Sequence, residues 1–260
     1  MKLTGKVALV TGASAGIGRA TALALAEEGA DVALNYLGYD ELAHKAAEQI
    51  RGKGKKALLL PADVSDQTAV ESMVMRTVEE LGRIDILVTC AVYSDEELFW
   101  KADMAGFHRT VNVTMWGAFY ALRAVTNQMI KQGQGGSIVI VGSPHAVVAV
   151  PKSMAYNMAK AATDHMARTA ATELLSHRIR VNNIHPGWTD TPGERKYFSE
   201  EMFDEAKTFM PWGRLAQPEE IARAIVFLVD PDSDYITGST VTIDGGLALP
   251  WWSKRAEGGF

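Results

Sequence analysis

Tyr156 and Lys160 stand four residues apart in a stretch with helical patterning, which puts both side chains on one helix face. A free phenol titrates near ~10, and bringing it to ~7 takes a shift of ~3 units, about 4 kcal/mol. An ammonium ~4 Å away, at an effective dielectric of ~20, supplies about that much. Such a pair can therefore move a proton near neutral pH, although the same spacing also suits an ordinary surface pair. Ser143 follows an apolar run at residues 136–142, where its hydroxyl could polarise an oxygen and stabilise developing charge. The competing reading is a plain turn serine before Pro144. His108, His145, His165, His177 and His185 lack zinc-ligand spacing, and Cys90 is the single cysteine, so neither a metal nor a disulfide is expected. Cys90 reads as a small buried apolar residue.

A second pattern lies at the start of the chain. An apolar run leads into Thr11-Gly12-Ala13-Ser14-Ala15-Gly16-Ile17-Gly18 and then a helical stretch. Glycines there permit a tight turn and close approach of backbone amides to a pyrophosphate, and the helix N-terminus favours anionic oxygens. A glycine-rich turn alone can be a loop without a ligand; one that follows a strand and opens a helix reads as a dinucleotide site. Beside an oxidised nicotinamide, the positive ring would add to the effect of Lys160 on Tyr156.

Both patterns need elements to hold them. Strand-like runs fall at residues 6–11, 31–36, 55–61, 84–89, 136–142, 180–185 and 240–243. Most are continuously apolar, as strands covered on both faces are. Helical stretches alternate with them at 17–29, 40–52, 67–82, 105–132, 153–176 and 218–230, with Gly29 and Gly82 as stop signals and Asp66 as an N-cap. The alternation predicts an α/β fold: one Rossmann-like, doubly wound, parallel seven-stranded sheet with helices on both faces, in a single domain over 1–260. The segment 188–213 breaks the rhythm and carries Pro192, Gly193 and Pro211. It reads as a lid at the carboxyl edge of the sheet, where ligands bind.

The Thr-Gly-x-x-x-Gly-x-Gly spacing, with Ser143 and Tyr156-x-x-x-Lys160, resembles the short-chain dehydrogenase/reductase family, over residues 6–247. The resemblance implies NAD(P)(H)-dependent hydride transfer between nicotinamide and a secondary alcohol or carbonyl. It implies a catalytic set of Asn112, Ser143, Tyr156 and Lys160, in which Tyr156 carries the proton, Ser143 orients the oxygen, Lys160 lowers the Tyr156 pKa and binds ribose hydroxyls, and Asn112 completes a proton relay. A packing role is the other reading of Asn112. The cofactor would meet Gly12, Ser14, Ala15, Gly16, Ile17 and Gly18 of the turn, Asn35 and Tyr36 after the second strand, and the adenine-contacting pair Asp63-Val64. It would also meet Ala91, Tyr156 and Lys160, and Pro186, Gly187, Trp188 and Thr189 near the nicotinamide. Asp244-Gly245-Gly246 resembles the family's C-terminal turn. One departure stands out: Thr89-Cys90-Ala91-Val92 replaces the family's Asn-Asn-Ala-Gly, and Val92 could narrow the cofactor wall or shift the loop.

Cofactor choice turns on the end of the second strand. Tyr36 stands where an NAD-selecting acid would be, and the arginines that hold a 2′-phosphate are absent at Ala15 and Leu37. Ser14 and Asn35 could donate hydrogen bonds. The reading leans to NADP with dual use. For the substrate, His145, Val147, Val150, Met154, Trp188 and the lid are candidates. His145 with Trp188 could bind and stack a polyol ring, while a loop histidine facing solvent is the alternative. Asn35-Tyr36, Ser143-x-His145 and the tail Pro250-Trp251-Trp252 resemble bacterial glucose 1-dehydrogenases within the family, which implies a sugar or polyol. The rivals are a 3-oxoacyl-carrier-protein reductase, a broad ketone or alcohol reductase and, outside enzymes, a non-catalytic dinucleotide-binding sensor.

Composition limits the remaining classes. A net charge of −5 and the lack of a basic stripe argue against nucleic acid. No apolar run is long enough for a membrane span, and residues 1–10 enter a strand pattern without the features of a secretory leader, so a cytoplasmic protein is expected. The adjacent tryptophans of the tail suggest burial against a partner or over the site, and the family implies a homotetramer.

Overall fold

Seven apolar runs form one all-parallel sheet in the order β3-β2-β1-β4-β5-β6-β7. The strands are β1 (Val7–Thr11), β2 (Asp31–Tyr36), β3 (Ala57–Pro61), β4 (Ile86–Thr89), β5 (Gly136–Val141), β6 (Ile179–Pro186) and β7 (Thr240–Ile243). The computed structural model describes residues 1–196 and 199–249. The Pro250-Trp251-Trp252 tail lies outside them. Every residue of β1 and β4 is buried, which accounts for the unbroken apolar runs.

Among the described residues there are eight α-helices: α1 (Gly16–Glu27), α2 (Asp40–Gly52), α3 (Gln67–Leu81), α4 (Met104–Val111), α5 (Gly117–Gln132), α6 (Met154–Glu173), α7 (Glu200–Phe209) and α8 (Pro218–Val229). One core joins the sheet to α3, α5 and α6 through Val70, Val125, Met129 and Ala167. The other joins it to α1, α2 and α8 through Leu25, Ile50, Ile221 and Ile225. The predicted ends hold. Asp66 accepts from Thr68 N and Ala69 N at 2.8 and 3.2 Å, and Gly82 takes φ +90° as α3 stops.

Two expectations change. The single helix predicted over 105–132 is two helices joined by a π-helical turn at Asn112–Trp116, in which Gly117 N donates to Asn112 O. Such turns insert a residue and re-aim a side chain, commonly at functional sites. The lid contains α7, whose N-cap Ser199 accepts from Met202 N. Its apolar face buries Phe203 and Ala206. The order of strands reverses between β1 and β4, which opens a crevice at their carboxyl ends.

Candidate active site

The crevice begins with the glycine turn. A Cβ on Gly12 would sit 2.8 Å from Ala91 N, and one on Gly18 would sit 2.2 Å from Gly12 O. The turn is thus closed to side chains at both points. Gly12 and Gly16 also take φ of +64° and +52°. Ala15 precedes α1 without a side-chain cap, and no acid occupies the first helical turn. The leading amides of α1 are left for an external anion, so the residues present fit a dinucleotide pyrophosphate. Thr11 Oγ1 accepts from Cys90 N and Ala91 N, which ties the β1 turn to the end of β4.

Several expected cofactor residues serve this scaffold. Asn35 is 1% exposed. Its Oδ1 accepts from Gly12 N at 3.4 Å, and its Nδ2 donates to Leu60 O and Ala62 O. The expectation that it donates to a ligand is therefore corrected: its amide hydrogens hold β3 while its oxygen holds the glycine turn. Tyr36 and Ser14 are buried. Ile17 packs beside the α1–α8 core. Asp63 accepts from Ser65 and, at 2.8 Å, from Arg109. Burial alone would raise its pKa, but these bonds and the Arg109 charge bring it below the usual carboxylate value. Val64 packs on Gly117 at the start of α5, where a Cβ would lie 2.6 Å away. Pro186 and Gly187 end β6 against the Asp244 turn, and Thr189 Oγ1 donates to Gly187 O.

The departure at residues 89–92 is accommodated. Val92 is 51% exposed and its φ is not positive, so the added side chain does not strain the backbone. Cys90 is half-buried rather than buried and packs against the second core.

Helix α6 carries Tyr156, Lys160 and Asp164 at successive four-residue steps. Tyr156 meets the His145 ring edge-on, with centroids 5.0 Å apart. Ser143 lies two residues past β5 and opens a 3-10 turn, Pro144–Ala146, with its oxygen accepting from His145 N. Burial pushes the Tyr156 phenol well above its ordinary value, the Glu194 carboxylate adds to that, and Ser143 opposes it. Lys160 is 5% exposed, donates to Val141 O at 2.7 Å, and lies 5.4 Å from the Tyr156 ring centroid. Burial lowers its pKa to about 8. The chain alone thus differs from the sequence expectation. Lys160 is anchored on β5, and desolvation outweighs any lowering of the phenol by its charge. Asn112 is exposed on the π turn, which packs against α6.

Two groups escaped sequence reasoning. Asp164 is buried and accepts from Asn183, His185, Thr240 and Arg168. This network fixes α6 to β6 and β7. Its signal was the repeat of the four-residue step beyond Lys160. Glu194 reaches in from the lid and accepts from Trp188 Nε1 at 3.0 Å. Trp188 leans on Phe203 of α7 at 6.1 Å, so its indole N–H braces the lid rather than facing a substrate. Arg195 joins Asp190 and Glu200 and lies over Phe203. The lid also reaches the other end of the crevice: Thr191 packs on Gly16, and Lys196 Nζ sits 4.7 Å over the Tyr39 ring. Met154 stands apart on an open groove of about 720 Å³ with Phe99, Trp100, Val147 and Met158, which His145 borders.

No cluster of metal-ligating side chains occurs among the described residues, and no helix there is long and apolar enough to cross a membrane.

Residues 12–248 match the family model described as Enoyl-(Acyl carrier protein) reductase. The chain is 36% identical over 248 residues to an L-rhamnose 1-dehydrogenase (NAD(P)(+)) of Sphingomonas sp. strain SKA58, covering 94% of this chain and 97% of that one. It is 37% identical over 251 residues to the 3-oxoacyl-[acyl-carrier-protein] reductase FabG of Thermotoga maritima, covering 96% and 100%. Among solved structures, a short-chain dehydrogenase/reductase from Serratia marcescens superposes with a TM-score of 0.90 at 33% identity, covering 96% and 100%. A short-chain type dehydrogenase/reductase from Mycobacterium marinum gives 0.89 at 34%, covering 96% and 98%.

Proposed function

The chain belongs to the short-chain dehydrogenase/reductase family, an NAD(P)-dependent oxidoreductase acting on CH–OH groups, and from that premise we propose that it interconverts a sugar or polyol and its oxidised form through Ser143, Tyr156 and Lys160. The carrying observation is the convergence of Ser143, Tyr156 and His145 at the end of β5, opposite the glycine turn.

When bound, the oxidised dinucleotide supplies the hydride acceptor and a positive charge that favours the phenolate. Gly12, Ser14, Ala15, Gly16, Ile17 and Gly18 would hold its pyrophosphate half, Asp63, Val64 and Ala91 the adenine side, and Pro186, Gly187 and Thr189 the nicotinamide side. Ser143 orients the substrate oxygen through its hydroxyl hydrogen, since its oxygen already accepts from His145 N. Tyr156 takes the hydroxyl proton in oxidation and returns it in reduction. Lys160, held by Val141 O, places a buried amine beside the phenol ring and would bind the ribose hydroxyls. Asn112, on the solvent side of the π turn, links Lys160 to water. Tyr156 has a raised pKa, so oxidation strengthens with pH while reduction draws on a protonated phenol.

The lean to NADP gains a cation that the sequence did not reveal. Tyr36 and Leu37, not an acid, stand at the end of β2, and Lys196 brings positive charge over Tyr39, just before Asp40 and Glu41 open α2. Ratios of kcat/KM for NADP and NAD test this lean, and a preference for NAD contradicts it. A homotetramer in the cytoplasm belongs to the same proposal. It is supported by the exposed Trp116, stacked on Tyr120 of α5 at 5.8 Å. A monomer in light scattering contradicts it.

The second reading is reduction of 3-oxoacyl thioesters, favoured by the likeness to the Thermotoga enzyme. Absorbance of the reduced nicotinamide, followed with aldoses, polyols, ketones and 3-oxoacyl thioesters, separates the two. Turnover of aldoses supports the first reading, and turnover confined to thioesters replaces it with the second.

A further inference from the structure

Asp164 lies one helical turn past Lys160 and two past Tyr156, on the same face of α6. It is buried, and its Oδ1 collects three donors: Asn183 Nδ2 at 2.7 Å, His185 Nε2 at 3.1 Å and Thr240 Oγ1 at 3.1 Å. Arg168 donates to Oδ2, so the buried charge is paired. A carboxylate only accepts, which orients both β6 side chains: the Asn183 amide turns its nitrogen to Asp164, and the His185 hydrogen sits on Nε2. Burial keeps the His185 pKa below its ordinary value, so the ring stays neutral at pH 7. The same amide orientation leaves Asn183 Oδ1 without a hydrogen-bond partner among the described residues. That oxygen meets Gly142 instead. A Cβ on Gly142 would sit 2.6 Å from Asn183 Oδ1 and 2.8 Å from His185 Cδ2. Gly142 therefore rests directly on the two side chains that Asp164 holds.

Gly142 is the residue before Ser143, and its N–H donates to Ile184 O at 2.8 Å. On its other side, Val141 O accepts from Lys160 Nζ at 2.7 Å. The short link that carries Ser143 is thus gripped by α6 from one side and supported by β6 from the other. We propose that Asn183 and His185 are positioning residues: held by Asp164, they form a floor under Gly142 that sets the place of the Ser143 hydroxyl relative to Tyr156. This rests on the assignment of Ser143 and Tyr156 to the reaction, and on no particular substrate. The floor acts on the chemical step, because a shift of about 1 Å in an orienting group costs up to about 100-fold in rate. Dinucleotide affinity is set mainly elsewhere, at the glycine turn. The alternative is that the Asp164 cluster only ties α6 to β6 and β7. Thr240 separates the two, because it gives Asp164 Oδ1 a hydrogen bond from β7 and is not among the groups that press on Gly142.

Asn183→Ala and Thr240→Val each remove one hydrogen bond to Asp164 Oδ1, and only the first removes part of the floor. The substrate is whichever aldose, polyol, ketone or 3-oxoacyl thioester the wild type turns over. Asn183→Ala is expected to lower kcat by about 10- to 100-fold, with a primary deuterium isotope effect showing that hydride transfer limits the rate. Its dinucleotide Kd, read from nicotinamide fluorescence, stays within about twofold of wild type. Thr240→Val keeps kcat within about twofold, while Tm falls in both variants. Gly142→Ala reaches the same contact from the other side without touching Asp164. The φ of Gly142 is not positive, so alanine there adds only the clash with the floor. It gives the same kcat loss at retained dinucleotide affinity, and carries the test should Asn183→Ala fail to fold. Wild-type kcat in folded Asn183→Ala or Gly142→Ala, or an equal kcat loss in Thr240→Val, overturns the positioning role. Ser143→Ala separates that failure from a failure of the assignment beneath it. A large kcat loss in Ser143→Ala leaves the assignment standing; wild-type kcat there overturns the assignment and this inference together.

Discussion

Replacing Lys160 by methionine exchanges a buried amine for an apolar side chain of similar length, and its effect on stability has a sign that depends on pH. The fall in the Lys160 pKa from 10.5 to about 8, at about 1.36 kcal/mol per unit, sets about 3 kcal/mol against the ammonium form in the folded state. The folded pKa lies below the unfolded one, so this penalty is full below the folded value and fades as pH rises toward the unfolded value. From pH 7 to 9.5 the wild type recovers about 2 kcal/mol of it. Methionine carries no such penalty at any pH, but it abolishes the bond to Val141 O, which offsets about 1.5–3 kcal/mol of the gain. The net difference at pH 7 is therefore small, whereas its change with pH is large. Urea unfolding of both proteins at the two pH values, at one protein concentration, measures it. The wild type should gain about 2 kcal/mol on the variant between them. Other titrating groups are common to both proteins and cancel. A difference independent of pH would refute the claim that Lys160 is held at a desolvation cost, while loss of activity in the variant tells nothing on that point.

Other substitutions probe the scaffold. Gly18→Ala directs a Cβ to within 2.2 Å of Gly12 O, so the turn must open; dinucleotide affinity by nicotinamide fluorescence should weaken by about 10-fold or more, with the circular dichroism retained. Asn35→Ala removes bonds to Gly12 N, Leu60 O and Ala62 O, and should cost about 2–4 kcal/mol in urea unfolding. It should weaken NAD and NADP alike, because Asn35 supports the turn without touching either. Asp164→Ala strands Arg168, Asn183, His185 and Thr240, for a loss of about 3–5 kcal/mol by the same measurement.

Much of this architecture was legible in the residues. The runs at 31–36 and 240–243 became strands with those bounds: the first is buried past Asp31, as a strand covered on both faces is, and the second is a partly exposed edge strand whose Thr-Val-Thr-Ile alternates with period two. The glycine turn was legible because its chemistry is local: a tight approach admits only glycine. What escaped depended on contacts between distant segments. Nothing in the run containing Asn112 marks a π turn, since the apolar spacing of 105–132 reads equally well as one helix. Asn35 looked like a ligand donor because its three partners lie on the glycine turn, within β3 and just after it. Glu194 was one acid among several in the lid until the fold placed it against Trp188. For Tyr156, the four-residue step put Lys160 on the same face but did not reveal its bond to Val141 O, nor the burial that raises the phenol in the chain alone.

The central claim is that Tyr156 is the group that moves the proton. Tyr156→Phe keeps the ring against His145 and removes one oxygen. Single-turnover kinetics with saturating dinucleotide and an aldose should show the hydride-transfer rate reduced by about 10²–10⁴-fold, the range of general acid–base catalysis, with dinucleotide affinity retained. Hydride transfer at the wild-type rate in this variant would contradict the assignment and move the proton-carrying role to another group.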